Sequence, residues 1–461
     1  MRAPTLFIVS TFLLGFLILP PASAAAQSPL VLTLEDALKR AEANSESMTI
    51  AGAGTARAQA DLKRTNSQRY PQISFSGGYD RTLASEFSGV FGGDTGSGSG
   101  SGDVDFSDLP FGQANAYRFN LQGTQLIYSG GRVGKQRDQA DVGIRTAELN
   151  VEATRALVQL DVTRAFYDVA LSERLLVIAQ SGYDQADAAF QQTKLSYDAG
   201  RLPEFETLRA QVQRDNQRPV VIRARANRDN AMLRLRQLLE LPADLPVQLA
   251  VDLEAAELSA PAAFADALAA VQADATLASK TSLAQAELSV RFQQLGLEIV
   301  QTAKRPTVNF VSTYGVTNYP KEIYPDFSRF RNNWTLGAQV TMPVFAGFRI
   351  PAEEASAKAG LTEAEARLKQ AREMAALQRS TALQDLESAR AAWEATAGTI
   401  TQATRAYEIA ELRFREGLST QLELSDSRLA LQSAQANRAQ AARDLQLTRV
   451  RVALLPDLPI Q

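Results

Sequence analysis

Glu423 and Asp426 stand one helical turn apart in the stretch GLSTQLELSDS, so a helix there carries two carboxylates on one face. Such a pair can gather cations, and it is also what an ordinary solvated helix face offers. Composition closes off richer chemistry. The 461 residues include no cysteine and no histidine, which excludes disulfides, thiolate metal sites and lipid attachment to an N-terminal cysteine, and removes the usual general base and metal ligand. Carboxylate or Ser/Lys catalysis stays open only in form, because no nucleophile, base or metal constellation is visible. The expectation is no enzyme, no cofactor and no metal. A net charge of −3 leaves no basic footprint for nucleic acid.

The scaffold that positions these carboxylates is written twice. The run LIYSGGR, from Leu126, returns as PVFAGFR, from Pro343, with Gly130 and Gly347 217 positions apart. The same offset carries Gly200 of LSYDAGRL onto Gly417 of LRFREGLS, so 70 positions separate the two glycines of each copy. Between them, large residues recur every seventh position: Val169, Leu176, Tyr183, Phe190 and Tyr197, matched by Leu386, Trp393, Ile400, Tyr407 and Phe414. Four positions before each runs a small track, Ala165, Ser172, Ala179, Ala186 and Thr193, matched by Ala382, Ala389, Thr396, Ala403 and Ala410. Large and small tracks with a strict period of seven predict a left-handed helical seam in which knobs meet small holes. Seventy helical residues extend roughly 105 Å.

After each turn glycine a shorter helix returns, to Pro242 in the first copy and Pro456 in the second. A further helix, Thr33 to Gln68 and about Ala270 to Lys304, completes the height. The Pro-bearing stretch between the copies reads as a mid-height connection. The boundaries expected are 1–24, a signal peptide; 25–240, the first unit; 241–263, an equatorial connection; 264–455, the second unit; and 456–461, a C-terminal tail. The signal peptide rests on Arg2, an apolar run from Leu6 to Leu19 and small residues at Ala22 and Ala24. That run holds about 14 residues where a membrane helix needs about 20, and no other stretch is long and apolar enough to span.

Before each long helix stand two segments that alternate apolar or small residues with polar ones: 71–79 and 117–124, then 306–314 and 334–342. Their length of about 10 residues fits tilted membrane strands. Tyr79, Tyr117, Tyr314, Tyr319 and Trp334 near their ends suit an aromatic girdle. One joining loop, 81–116, is Gly/Ser-rich and carries Glu86, Asp94, Asp103, Asp105 and Asp108; the other is stiffened by Pro320 and Pro325. Four strands cannot close on themselves, and open edges are not tolerated in lipid. Several chains must therefore pool strands; three chains of four strands, 12 in all, leave a lumen, whereas two chains give a filled barrel. The fold class expected is a mixed α/β membrane protein. It is a trimer whose shared 12-stranded barrel, four strands per chain, continues as a long α-helical coiled-coil barrel built from two internal repeats. Gly130, Gly131 and Gly347 mark the strand-to-helix junctions.

On the order and doubled spacing of TLEDALKRA, LIYSGGR and PVFAGFR, YDAGRL and FREGLS, and the final GLSTQLELSDSRLALQSAQANRA, the chain resembles the TolC-like outer-membrane efflux proteins over nearly all of its mature length. The resemblance implies a passive outer-membrane channel-tunnel of a tripartite efflux or type I secretion system, with its helical tunnel in the periplasm. It also implies a homotrimer set in outer-membrane lipid that docks onto a periplasmic adaptor and an inner-membrane pump, without nucleic acid. By position relative to Gly417, Glu423 and Asp426 match the family's acidic ring at the periplasmic aperture; six charges around one axis would favour cations and respond to pH and divalent ions. Phe414 and Glu206 fall on the family's tip contacts, which gate the closed state. The sequence departs from the pattern where Ser419 replaces the locking arginine and Phe414 lacks a tyrosine hydroxyl, so closure is expected to use packing or other residues, with Arg413 and Arg415 as candidates. Gly200 and Gly417 are the hairpin turns facing an adaptor, and the positive φ of a tight turn explains them. The rival reading is a periplasmic coiled-coil adaptor or scaffold, which would carry one hairpin flanked by soluble β domains.

Overall fold

The computed structural model describes residues 30–83, 113–242, 245–253, 258–274 and 280–460. The expected signal peptide and the acidic loop residues Glu86 to Asp108 lie outside the described residues. In chain order the elements are β1 (Leu30–Leu32), α1 (Leu34–Asn44), α2 (Glu46–Ser67), β2 (Gln72–Arg81), β3 (Asn115–Tyr128), α3 (Arg132–Asp198), α4 (Glu204–Leu238) and β4 (Val247–Leu249). There follow α5 (Ala265–Ala273), α6 (Lys280–Thr302), β5 (Thr307–Asn318), β6 (Arg331–Thr341), α7 (Arg349–Arg415) and α8 (Gln421–Ala453).

The two long helices, α3 and α7, have 67 residues each, about 100 Å of helix. Both start after two consecutive left-handed residues. These are Gly130 (φ 65) and Gly131 (φ 92) before α3, and Gly347 (φ 57) and Phe348 (φ 62) before α7. Two such residues reverse the backbone from strand to helix within a few atoms, a conformation that glycine adopts without steric cost. At Gly130 space is short as well: a Cβ would lie 2.7 Å from that of Arg305, whose guanidinium donates to the Gly130 carbonyl at 2.9 Å. The apolar–Gly–Arg run is thus the junction of a strand with a long helix.

Within α3 the small track is buried throughout, from Ala165 to Thr193, whereas of the large track only Val169 is fully buried; Leu176, Tyr183 and Phe190 are half-buried and Tyr197 is exposed. The holes are filled by the chain's own neighbours, since α3 packs against α2 and α4 and against α6 and α8. Helix α7 packs chiefly against α6 and α8, and Ala389, Thr396, Ala403, Leu386, Ile400 and Tyr407 stay half-covered.

Two sequence expectations are corrected. The helix expected over Thr33–Gln68 is two helices, because Ser45 is extended (φ −60, ψ 126). The helix expected from Ala270 to Lys304 is likewise interrupted: α5 ends at Asp274, which is extended (φ −122, ψ 111), and α6 starts at Lys280. Residues after α8 pack onto α6: Thr281 donates its N–H to the Pro456 carbonyl (2.9 Å) and its hydroxyl to Asp457 (2.7 Å), and Leu458 is buried.

The strands form a four-stranded antiparallel sheet in the order β2-β3-β5-β6. Register puts Phe75, Leu121, Tyr314 and Trp334 side by side on one face, and Ser74, Gln122, Thr313 and Thr335 on the other. One face is therefore apolar and aromatic and the other polar, as period-two alternation requires. On the polar face Arg118 pairs with Asp80 at 2.6 Å. The outer strands β2 and β6 are exposed along their whole length. No helix among the described residues is long and apolar enough to cross a membrane.

The main hydrophobic core lies at mid-height, where α1, α5 and the upper ends of α4 and α8 meet the middle of α3. Phe166, Leu235, Leu239, Leu445 and Leu455 are essentially inaccessible there; each such residue contributes about 1.5–3 kcal/mol. A parallel pair the sequence reading missed, β1 with β4, ties the residues just before α1 to the segment that follows α4 through Leu30↔Val247 and Leu32↔Leu249. Arg443 on α8 clamps α3 beside this core, donating Nε and Nη2 to Asp168 at 2.9 and 2.6 Å.

Candidate functional site at the hairpin tips

Helices α3 and α7 end in the same device. Gly200 (φ 71) and Gly417 (φ 73) are left-handed. Arg201 N–H reaches the Ser196 carbonyl (2.9 Å) and Gly200 N–H that of Tyr197 (2.7 Å); Leu418 N–H reaches Arg413 (2.7 Å) and Gly417 N–H reaches Phe414 (3.0 Å). These crossed bonds satisfy the terminal carbonyls in a Schellman motif. No atom lies within 4 Å of a Cβ built on either glycine, so the backbone angle alone demands them.

Helix α8 restarts at Thr420, whose hydroxyl accepts the Glu423 N–H at 3.3 Å. Thr420 and Glu423 thereby hold the positions of a T-x-x-E capping box, and the negative charge suits the helix N-terminus. Glu423 and Asp426 are both exposed, one turn apart on the face of α8 turned away from its own chain.

The residues expected to gate the tip are dispersed within one chain. Phe414 packs with Tyr407 against Ala189, Ala410 and Leu424, filling the gap between the two hairpins. Glu206 sits half-buried in the first turn of α4, its N–H bonded to the Pro203 carbonyl (3.2 Å). Ser419 Oγ is buried without a hydrogen-bond partner among the described residues. Among the described residues no hydrogen bond joins Glu206 to Ser419. Arg413 donates to the Leu418 carbonyl at 3.4 Å. Arg415, with Glu411, Tyr407 and Phe414, lines a crevice of about 680 Å³ between the hairpins, across from Asp184 and Gln185 of α3.

The architecture and the comparisons agree. The model of the outer membrane efflux protein family matches residues 37–240 and 272–455. The chain belongs to that family. It resembles the Campylobacter jejuni CmeC outer membrane channel with a TM-score of 0.72 at 15% identity, over 93% of this chain and 86% of that one. The outer-membrane channel OprN gives 0.69 at 20% identity, over 93% and 90%. The Vibrio cholerae outer membrane protein VceC gives 0.69 at 16%, over 93% and 97%. At these identities the likeness is one of fold. The fusaric acid resistance protein FusA of Burkholderia cepacia is 24% identical over 278 residues, 54% of this chain and 46% of that protein; the chain thus spans about half the length of this curated relative.

This efflux protein also carries a polar stripe that the sequence reading passed over. Gln421, Ser425, Arg428 and Gln432 recur at three- and four-residue steps along α8, and the first three are buried. Gln421 and Ser425 both donate to Gln213 of α4. Arg428 is 3% exposed and its Nε has no partner among the described residues; burial lowers its pKa, with nearby Tyr407 opposing the shift. The sequence signal for the stripe is the helical spacing of its polar residues on the shorter helix α8. In this efflux protein the polar stripe of α8 meets α4 through Gln213 next to the apolar Phe414 cluster, whereas the core at mid-height is apolar and clamped by Arg443.

Proposed function

We propose that this chain is the outer-membrane exit duct of a tripartite export assembly, a passive homotrimeric channel that catalyses nothing itself. The observation that carries the reading is the sheet: four antiparallel strands with one apolar and one polar face, ending in two bare edges, β2 and β6. Bare edges in lipid cost several kcal/mol per unpaired group. Because β2 runs away from the helices and β6 back towards them, β6 of one chain meets β2 of the next antiparallel. Three chains then close a barrel of about 12 strands with the polar face inward. The half-covered large track of α3 and α7 favours the same assembly, in which neighbouring chains cover it and the helices prolong the lumen into the periplasm.

On this reading each chain consists of two strand–helix units, 25–240 and 264–455, with 241–263 at the equator and 456–461 closing the waist; 1–24 is removed on export. Glu423 and Asp426 ring the periplasmic aperture. Phe414, Glu206 and Ser419 lie at its gate, where locking uses contacts between chains. The hairpin turns at Gly200 and Gly417 face a periplasmic adaptor, which couples the duct to an inner-membrane pump. The likeness to a fusaric acid resistance protein favours small toxic organic compounds as cargo.

The absence of cysteine makes a clean test possible. Ser76→Cys in β2, combined in turn with Asn333→Cys and Thr335→Cys in β6, should yield disulfide-linked trimers in outer-membrane fractions. Monomers that remain soluble in plain buffer would refute the proposal.

A further inference from the structure

We infer that each subunit holds one phospholipid on the outer face of its sheet, with an acyl chain in a notch floored by Gly123 and Ser312 and the headgroup phosphate at Arg69. The inference rests on the proposed reading of this face as lipid-facing and adds a specific site to it.

Gly123 and Ser312 are directly paired across β3 and β5, two small residues side by side with Ile73, Leu121, Phe310 and Tyr314 as neighbours on the same face. Ile73, Phe310, Tyr314 and Trp334 stand around them and line an open groove of about 670 Å³ that is almost wholly apolar. The wall is fixed, because Trp334 Nε1 donates to Ser312 Oγ at 3.0 Å. Neither backbone nor packing demands the glycine. Gly123 has no positive φ, and the nearest atom to a Cβ there is the Ser312 carbonyl oxygen at 3.9 Å. At Gly77 on the same face a Cβ would meet the Phe119 ring at 3.0 Å, so that glycine is required by its neighbour. Position 123 is open by contrast, and the space above it is left for something else. A slender, flexible hydrocarbon chain fits such a notch better than disordered lipid does, because it restores the dispersion contacts that a gap forfeits.

Position along the strand selects the source of the chain. The pair lies near the helix-proximal end of the sheet, close to Pro71 and to the start of β2 at Gln72. In the proposed orientation that end faces the periplasmic leaflet, which is built of phospholipid, whereas lipid A occupies the other. Gln125, at the lower edge of the notch, donates to the backbone carbonyl of Arg69 at 2.7 Å. Arg69 is exposed and, among the described residues, pairs with no carboxylate. An exposed arginine whose backbone carbonyl accepts from the notch-lining Gln125 has a side chain long enough to bring its charge to the slot, where it would meet a phosphate whose acyl chain enters it.

The test is native mass spectrometry with lipid extraction on the trimer purified in mild detergent. Wild-type protein should retain one phospholipid per subunit. Gly123→Leu and Ser312→Leu, each filling the notch, should release it while trimer mass and single-channel conductance stay unchanged; should one variant fail to assemble, the other decides. Arg69→Gln should lower occupancy several-fold. A conducting trimer that carries no phospholipid, Leu variants that retain it, or lipid A as the bound species would overturn the inference while leaving the channel intact. A protein that forms no membrane-inserted trimer would overturn the channel reading and the site with it.

Discussion

Gly417 offers the sharpest test of what the hairpin turns do. Its φ of 73 costs an L-residue roughly 1–2 kcal/mol, while replacing glycine recovers about 0.5–1 kcal/mol of unfolded-chain entropy. Since nothing lies within 4 Å of a Cβ there, no steric cost is added. Gly417→Ala should therefore destabilise the turn by about 1 kcal/mol net, which is roughly a fivefold rise in local opening. Gly417→Val should cost more, and Gly417→Asn least, because asparagine tolerates the left-handed region. Hydrogen exchange of the Gly417 and Leu418 amides, which bond to Phe414 and Arg413, reports this opening directly. If Asn opens the turn as much as Val, backbone angle is not what selects glycine and the argument fails. Export measured in the same variants separates structure from recognition: an Asn variant with native exchange and no export would place Gly417 in the adaptor contact itself.

Two further outcomes are expected. Replacing Glu423 by Gln and Asp426 by Asn together removes six charges from the proposed trimer. About 10 Å from a permeating ion these give roughly 2–3 kcal/mol in water and about 1 kcal/mol after screening at 0.1 M salt. Cation preference in bilayer recordings should then fall about fivefold, with folding unaffected because Gln also serves a capping box; unchanged selectivity would remove the ring assignment. Arg443→Met should destabilise the waist by roughly 1–2 kcal/mol, the range for a charged hydrogen bond discounted for partial exposure. Adding Asp168→Asn should then cost little more, and fully additive losses in denaturant titrations would show that the pair in α3 and α8 is not coupled.

The parts that could be read from the chain were those with local or periodic causes. Both long helices follow from seven-residue tracks and from glycines at their ends, and all four long strands follow from alternation. The breaks at Ser45 and Asp274 were missed because the flanking residues keep helical composition and only the waist core bends the chain there. The three-residue β1–β4 pairing was too short for any pattern. What surrounds the tip residues was not legible for a different reason: Phe414 is held by Ala189, distant in sequence, and the buried polar stripe around Arg428 acquires its neighbours, Gln213 and Tyr407, only when α8 lies against α4 and α7.

The sequence by itself determined the two helices of about 100 Å, the alternating strands that precede each and the glycines at which each begins and turns, because periodicity and positive-φ glycines are properties of a few consecutive residues. The tertiary structure alone decided the strand order that leaves β2 and β6 bare, the placing of the core at mid-height, and the polar contact below it. Those depend on which distant surfaces meet, and one-dimensional spacing carries no record of which face turns towards which partner.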